Sequence, residues 1–185
     1  AALAALHSLD PAAVGLGEYG RAEGYFARQT ALWTRQYAAS VDAPSSEMLA
    51  LADWLAGQSP PEAPPALVHG DWRLDNMVFA RGAPDVIGIL DWELSTLGHP
   101  LADLAYQVMQ WHLPHASPLK GLGGIARGDL PGDDAYVAAY AARRGVDMPD
   151  LTPWLALAAF RLAAILAGVG ARAAAGNASN PEAGR

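Results

Sequence analysis

Apolar positions recur at helical spacing toward both ends of this chain and gather into short unbroken runs in its middle. Residues 1–9 have a helical pattern, and the Gly- and Pro-bearing stretch 10–20 that follows reads as a loop. Over 21–40, Tyr25, Ala31, Leu32, Trp33 and Tyr37 supply the apolar side of a second helix. Ser45 and Ser46 offer a cap ahead of Glu47 and Met48, so a third helix is predicted through Leu49, Leu51 and Leu55 to a stop at Gly57. Pro60, Pro61, Pro64 and Pro65 then exclude both helix and central strand and predict an extended linker.

From residue 66 the texture changes. Apolar runs at 66–68, 77–79 and 86–90 predict short strands, with 81–85 as the turn between the last two. Pro100 suits a first helical turn, and 101–111 reads as a helix ended by Pro114. The stretch 120–131 is a glycine-rich loop, 133–144 a helix with Gly145 just beyond it, and 152–175 a long apolar helix. Helices, a small inset of strands, and more helices make a predominantly α-helical α+β domain over 1–175, with 176–185 a polar tail expected to fray. Residue 1 is Ala, and nothing ahead of it can cap a helix, so the chain is expected to open inside an element.

Composition narrows the classes. With 52% hydrophobic and 17% charged residues the chain can bury a core. A formal charge of -7 argues against nucleic acid as a partner, because that binding depends on Lys and Arg neutralising phosphates. Cysteine is absent, which removes disulfides and thiolate metal sites, and a cytoplasmic location fits best. The one span-like stretch, 151–170, carries Arg161 at its centre, which costs roughly 2.5–3.5 kcal/mol in a bilayer. A core helix is the better reading, and no membrane partner is expected.

The chemistry concentrates in 69–76, His69-Gly70-Asp71-Trp72-Arg73-Leu74-Asp75-Asn76, a polar loop between two strands. Gly70 permits an unusual backbone conformation, Asp71 offers a carboxylate and Asn76 a carbonyl oxygen. If 76–80 and 86–90 pair as a regular hairpin, Ala80 faces Val86 and Asn76 faces Leu90, which sets Asp91 beside Asn76. Facing residues lie about 4.5–5.5 Å apart at Cα. Oxygen donors next to open positions suit Mg²⁺, which takes one or two carboxylates together with waters and substrate phosphates. Phosphoryl transfer needs that neutralisation and a carboxylate to accept the proton of an attacking hydroxyl. Asp71 is therefore assigned as base, with Asn76 and Asp91 as metal ligands.

An Asp followed five residues later by Asn, and a second Asp after a hairpin, is the protein-kinase spacing. Here His-Gly-Asp replaces His-Arg-Asp, and Asp91-Trp92-Glu93 stands where kinases carry Asp-Phe-Gly. That variant resembles the aminoglycoside phosphotransferase family. The run from Val86-Ile87-Gly88-Ile89-Leu90-Asp91 to Gly98-His99-Pro100-Leu101-Ala102-Asp103 looks closer still to one branch, the phosphotransferase domain fused to or encoded beside acyl-CoA dehydrogenases. Gly15-Leu16-Gly17, Gly24-Tyr25, Gln36-Tyr37 and 160–165 extend the resemblance through most of the chain. It implies the C-lobe of a protein-kinase-like fold with a small β-hairpin at its active site. It implies ATP, or GTP, as phosphoryl donor, Asp71 as the catalytic Asp, Asn76 and Asp91 on Mg²⁺, and His69 and Asp103 bracing the loop. His99 departs from the Asp that relatives usually carry before the Pro.

A complete member of that family has an N-terminal lobe whose glycine-rich hairpin and strand lysine grip the nucleotide. Lys120, the only lysine, follows the catalytic loop, so the gripping lysine is expected outside these residues and the fragment is expected to be inactive alone. The branch implies a hydroxyacyl-CoA or hydroxy acid as acceptor, the drug-resistance members an aminoglycoside-like one. Association with an acyl-CoA dehydrogenase, or self-association across an exposed lobe interface, is a further expectation. Simpler readings stand beside these. Asp71 and Asn76 taken singly serve turns; Asp75 and Glu93 read as structural or solvated; Trp72 and Arg73 face substrate or merely pack. His112 and His115 have a metal-like spacing, but Pro114 breaks the helix that would align them. A kinase-like scaffold without catalysis is the alternative from another class, and a metal-dependent hydrolase would need more ligands than the sequence presents.

Overall fold

The computed structural model describes residues 1–116, 121–123 and 131–174. Lys120, most of the 120–131 loop and the tail 176–185 lie outside the described residues. Among the described residues, six α-helices and four strands run in the order α1 (Ala2–His7), α2 (Tyr25–Ser40), α3 (Ser46–Ala56), β1 (Ala66–Val68), β2 (Met77–Phe79), β3 (Val86–Ile89), β4 (Thr96–Gly98), α4 (Leu101–His112), α5 (Asp133–Arg144) and α6 (Thr152–Ala174).

The chain divides into two compact units. The first comprises Ala1–Tyr25 and Pro61–Leu155; the second comprises Phe26–Pro60 and the chain from Ala156.

In the first unit, β1 is buried at all three positions and pairs antiparallel with β4, Ala66 facing Gly98 and Val68 facing Thr96. β4 lies outside the predicted strands. Its Gly98 is required by packing, since a Cβ there would lie 2.4 Å from the Tyr25 ring. α1 packs on β1 and α5, and α4 packs on α5, burying Leu3, Leu6, Leu104, Val108 and Tyr140. Gly145 closes α5 in the left-handed region at φ 65°, where its missing side chain removes the steric penalty.

β2 and β3 form a separate hairpin. Met77 faces Ile89 and Val78 faces Gly88, in the expected register, but a bulge then brings Phe79 opposite Val86. Ala80 donates to the Asp85 carbonyl at 2.8 Å rather than meeting Val86, so the regular register fails at the turn end. The extra residue, Ile87, is 67% exposed, and one added residue is what a bulge accommodates. The loop end is unaffected, because Leu90 still donates to the Asn76 carbonyl at 2.9 Å.

In the second unit, the Ser45 hydroxyl caps α3 by accepting from the Met48 amide at 3.2 Å. The Tyr37 hydroxyl accepts from the Ser45 amide at 3.0 Å, and the Tyr37 ring stands edge-on to Phe160. α2 begins at Tyr25 rather than residue 21, since Gly24 at φ 59° breaks the helical path. α6 is long and apolar enough, by length and composition, to cross a membrane. It buries Leu157, Ala158, Phe160 and Ala164, and the Arg161 guanidinium lies 5.2 Å over the Trp33 ring, within reach of a cation–π contact.

Candidate active site

β1 ends at Val68 and hands the chain to His69, whose backbone is turned by Gly70 at φ 85°. A side chain at residue 70 would put its Cβ 2.5 Å from the Leu94 carbonyl oxygen, so the turn needs glycine for both conformation and space. Polar backbone groups in a buried turn must be paired. Asp103, in the first turn of α4 and only 1% exposed, meets that need: Oδ2 accepts from the His69 amide at 2.7 Å and Oδ1 from the Gly70 amide at 2.9 Å.

His7, to which the sequence pattern assigns no role, completes this brace. Its Nε2 lies 3.2 Å from Asp103 Oδ2, and its Nδ1 lies 2.8 Å from the Tyr140 hydroxyl. Burial pushes the pKa of that hydroxyl up to about 12, so it stays a neutral phenol at ordinary pH. The Asp103 carboxylate thus receives the imidazole and both loop amides while excluded from water.

The His69 ring is held by its own hydrogen bonds. The Asp71 amide donates to Nδ1 at 3.2 Å, which leaves the proton on Nε2 to donate to the Leu90 carbonyl at 2.8 Å. His69 therefore ties the catalytic loop to the residue before Asp91. Trp92 tilts against the same ring at 4.8 Å and donates to the Ile89 carbonyl at 2.9 Å.

Asp71 emerges from this turn half-buried. The Asn76 side-chain nitrogen donates to the Asp71 carboxylate at 2.8 Å and to the Asp71 carbonyl at 2.9 Å. Both amide hydrogens are thereby used, which leaves the Asn76 Oδ1 available as an oxygen ligand. Asp91 is exposed and is the one non-glycine residue with positive φ among the described residues, at 64°. Such a conformation in a residue with a side chain marks a constrained position. Among the described residues no protein group pairs with its carboxylate.

These donors fit a hard cation that shares its shell with substrate. No cluster of three His, Cys, Asp or Glu residues exists among the described residues, so a closed protein cage of the zinc kind is not built there. One carboxylate and one amide oxygen match the sparse protein contribution that Mg²⁺ accepts. His112 instead pairs with Asp133 at 3.0 Å, and His115 Nδ1 bonds the Gly121 carbonyl at 2.9 Å.

Trp72 and Arg73 take different places. Trp72 is 2% exposed, with its ring edge-on to His69, which is a packing position. Arg73 is exposed and pairs with Asp75 at 2.7 Å, an ion pair worth about 0–1 kcal/mol at a solvated surface. Glu93 is exposed.

A mostly helical body that carries, between short strands, an Asp clamped by an Asn five residues later has the large-lobe architecture of a kinase-like fold. The sequence profile of the phosphotransferase enzyme family, APH, matches residues 1–154, and the chain belongs to that family. A crystal structure from Ralstonia eutropha JMP134, provisionally named an aminoglycoside phosphotransferase, superposes with a TM-score of 0.92 at 39% identity, covering 98% of this chain and 56% of that one. Acyl-CoA dehydrogenase family member 11 of Gallus gallus is 42% identical over 184 residues, which are 96% of this chain and 24% of that protein. Family member 10 of Mus musculus is 38% identical over 96% of this chain and 17% of its own length. The chain therefore spans a quarter or less of these curated relatives.

Proposed function

We propose that this chain is the catalytic lobe of an ATP-dependent small-molecule kinase that phosphorylates a hydroxyl group. The observation that carries the reading is the Asp71–Asn76 clamp at 2.8 Å on a loop whose backbone Asp103 holds from beneath. Asp71 orients the acceptor hydroxyl and takes its proton as the oxygen attacks the γ-phosphorus; the bond from that phosphorus to the bridging oxygen breaks, and ADP leaves. Asn76 Oδ1 and Asp91 would hold Mg²⁺, which when bound neutralises phosphate charge. Asn76 fixes the Asp71 carboxylate, and His69 with Asp103 keeps both Asp71 and the Asp91 approach in place.

A nucleotide-gripping lobe lies outside these residues, which makes the isolated fragment inactive. Support comes from the apolar side chains left exposed around the loop, including Phe79 at 44%, Ile87 at 67% and Leu90 at 53%. Such exposure suits a surface covered by further protein. GTP is an alternative donor. The branch favours a hydroxyacyl-CoA or hydroxy acid over an aminoglycoside as acceptor, and association with an acyl-CoA dehydrogenase; the absence of cysteine suits a cytoplasmic setting.

The test uses the full-length protein that contains this chain, with γ-labelled ATP, Mg²⁺ and, separately, a hydroxyacyl-CoA and an aminoglycoside. Label on the acceptor hydroxyl, lost in Asp91→Asn, is expected. Label transfer that Asp91→Asn leaves unchanged contradicts the assigned site, and no transfer to either class contradicts the reading of function.

A further inference from the structure

Within the first unit lies a cavity of about 400 Å³ that Asp71, Asn76 and Asp91 do not line. Pro61 and Pro64 of the linker, Pro100 and Leu101 at the start of α4, and Val146 and Met148 after α5 make its apolar walls. Volume and lining both fall in the range of small-molecule pockets, about 300–1,000 Å³ with few polar groups.

One positive charge stands on this wall. Arg144 closes α5, and its Nη1 donates to the His7 carbonyl and, at 3.4 Å, to the Ser8 hydroxyl. These acceptors and the Tyr140 hydroxyl, which it also meets, are neutral, its Nε is buried with no hydrogen-bond partner, and it forms no ion pair among the described residues. A partly buried guanidinium served only by neutral acceptors favours an added carboxylate, the acceptor that suits its fork best. Glu62 and Asp147 also line the cavity, but both are exposed, where water and salt screen their repulsion. His99 adds no charge at neutral pH, because burial pushes its pKa down to about 4.

We infer that this cavity binds a small amphipathic carboxylate, its apolar body between the proline walls and Met148 and its head group on Arg144. The site stands apart from the assignment of Asp71 and does not depend on it. Tyr140, also on the cavity wall, is the hydroxyl that holds His7 at 2.8 Å, so an occupant would touch the rear of the loop's brace.

Calorimetric titration of the full-length protein with sodium octanoate, and with octanamide as the uncharged match, tests the inference. One octanoate site is expected, with octanamide weaker by roughly tenfold or more, about 1.4 kcal/mol. Arg144→Met should abolish that preference. Because Arg144 also holds His7, a second variant, Ala63→Trp, fills the cavity from the half-buried linker and should abolish both ligands' binding while thermal unfolding shows a folded protein. Equal binding of the two ligands by the wild type, octanoate binding untouched by Ala63→Trp, or no binding of either at millimolar concentration would overturn the proposal.

Discussion

Asn76 reaches back five residues to Asp71 and bonds both its carboxylate, at 2.8 Å, and its carbonyl, at 2.9 Å. One side chain thus orients the proposed base and keeps its own Oδ1 for a cation, which couples two functions that a sequence would list separately. Asn76→Ala is expected to impair both. In the full-length protein the Mg²⁺ concentration for half-maximal turnover should rise roughly tenfold to a hundredfold. A metal titration of turnover checks this, and an unchanged requirement would remove Asn76 from the metal site.

Asp103 pairs the buried His69 and Gly70 amides through its two carboxylate oxygens. Asp103→Ala should therefore destabilise the first unit by about 3 kcal/mol or more, given about 1–3 kcal/mol for each buried donor left unpaired. Urea unfolding measures it. Asp103→Asn keeps one acceptor oxygen and should lose less; equal losses in the two variants would argue that the amides are not what Asp103 serves.

Gly70→Ala places a Cβ 2.5 Å from the Leu94 carbonyl at a φ of 85°. Left-handed strain alone is on the order of 1–3 kcal/mol, and the clash adds to it. The variant should melt at lower temperature and lose turnover together, whereas Gly82→Ala, at a left-handed but open turn, should lose stability with turnover retained.

His99 is stacked on Trp154 at 4.3 Å, accepts the Leu101 amide on Nδ1 and donates from Nε2 to the Pro61 carbonyl. Burial lowers its pKa from 6.5 to about 4, so between those values the unfolded chain binds the proton that the folded one refuses. Its contribution is thus full above pH 6.5 and is lost as pH falls toward 4, on the order of 3 kcal/mol. Unfolding free energies at pH 7.5 and pH 5 should converge more in His99→Asn than in the wild type; identical pH slopes would count against this.

Where local chemistry decides structure, the sequence was readable. Ser45 caps α3, Gly145 closes α5, and β1 and β2 stand at 66–68 and 77–79 as the apolar runs imply. Pairing distant in sequence was not. β4 is three residues, Thr-Leu-Gly, whose partner β1 lies far back along the chain, and nothing in Thr96-Leu97-Gly98 alternates. The Ile87 bulge escapes a reading that assumes regular register, yet the Asn76–Leu90 end survives it, since the two strands stay in step from Val78 toward the loop. His7 is hidden for the same reason as β4: it sits 96 positions from Asp103, on a helix whose apolar spacing gives no hint of a polar partner. A buried histidine on an otherwise apolar helix was the available signal. Trp72 shows the converse, a residue inside the loop motif whose side chain is buried in the core.

Single-turnover phosphoryl transfer by Asp71→Asn in the full-length protein, with nucleotide affinity measured in parallel, tests Asp71 as the base. The substituted side chain would keep the shape and could still meet Asn76, but could not accept the proton of the acceptor hydroxyl. ATP binding within a few-fold of wild type is expected, with transfer reduced by about 10²-fold or more. Transfer at the wild-type rate with intact binding would contradict it.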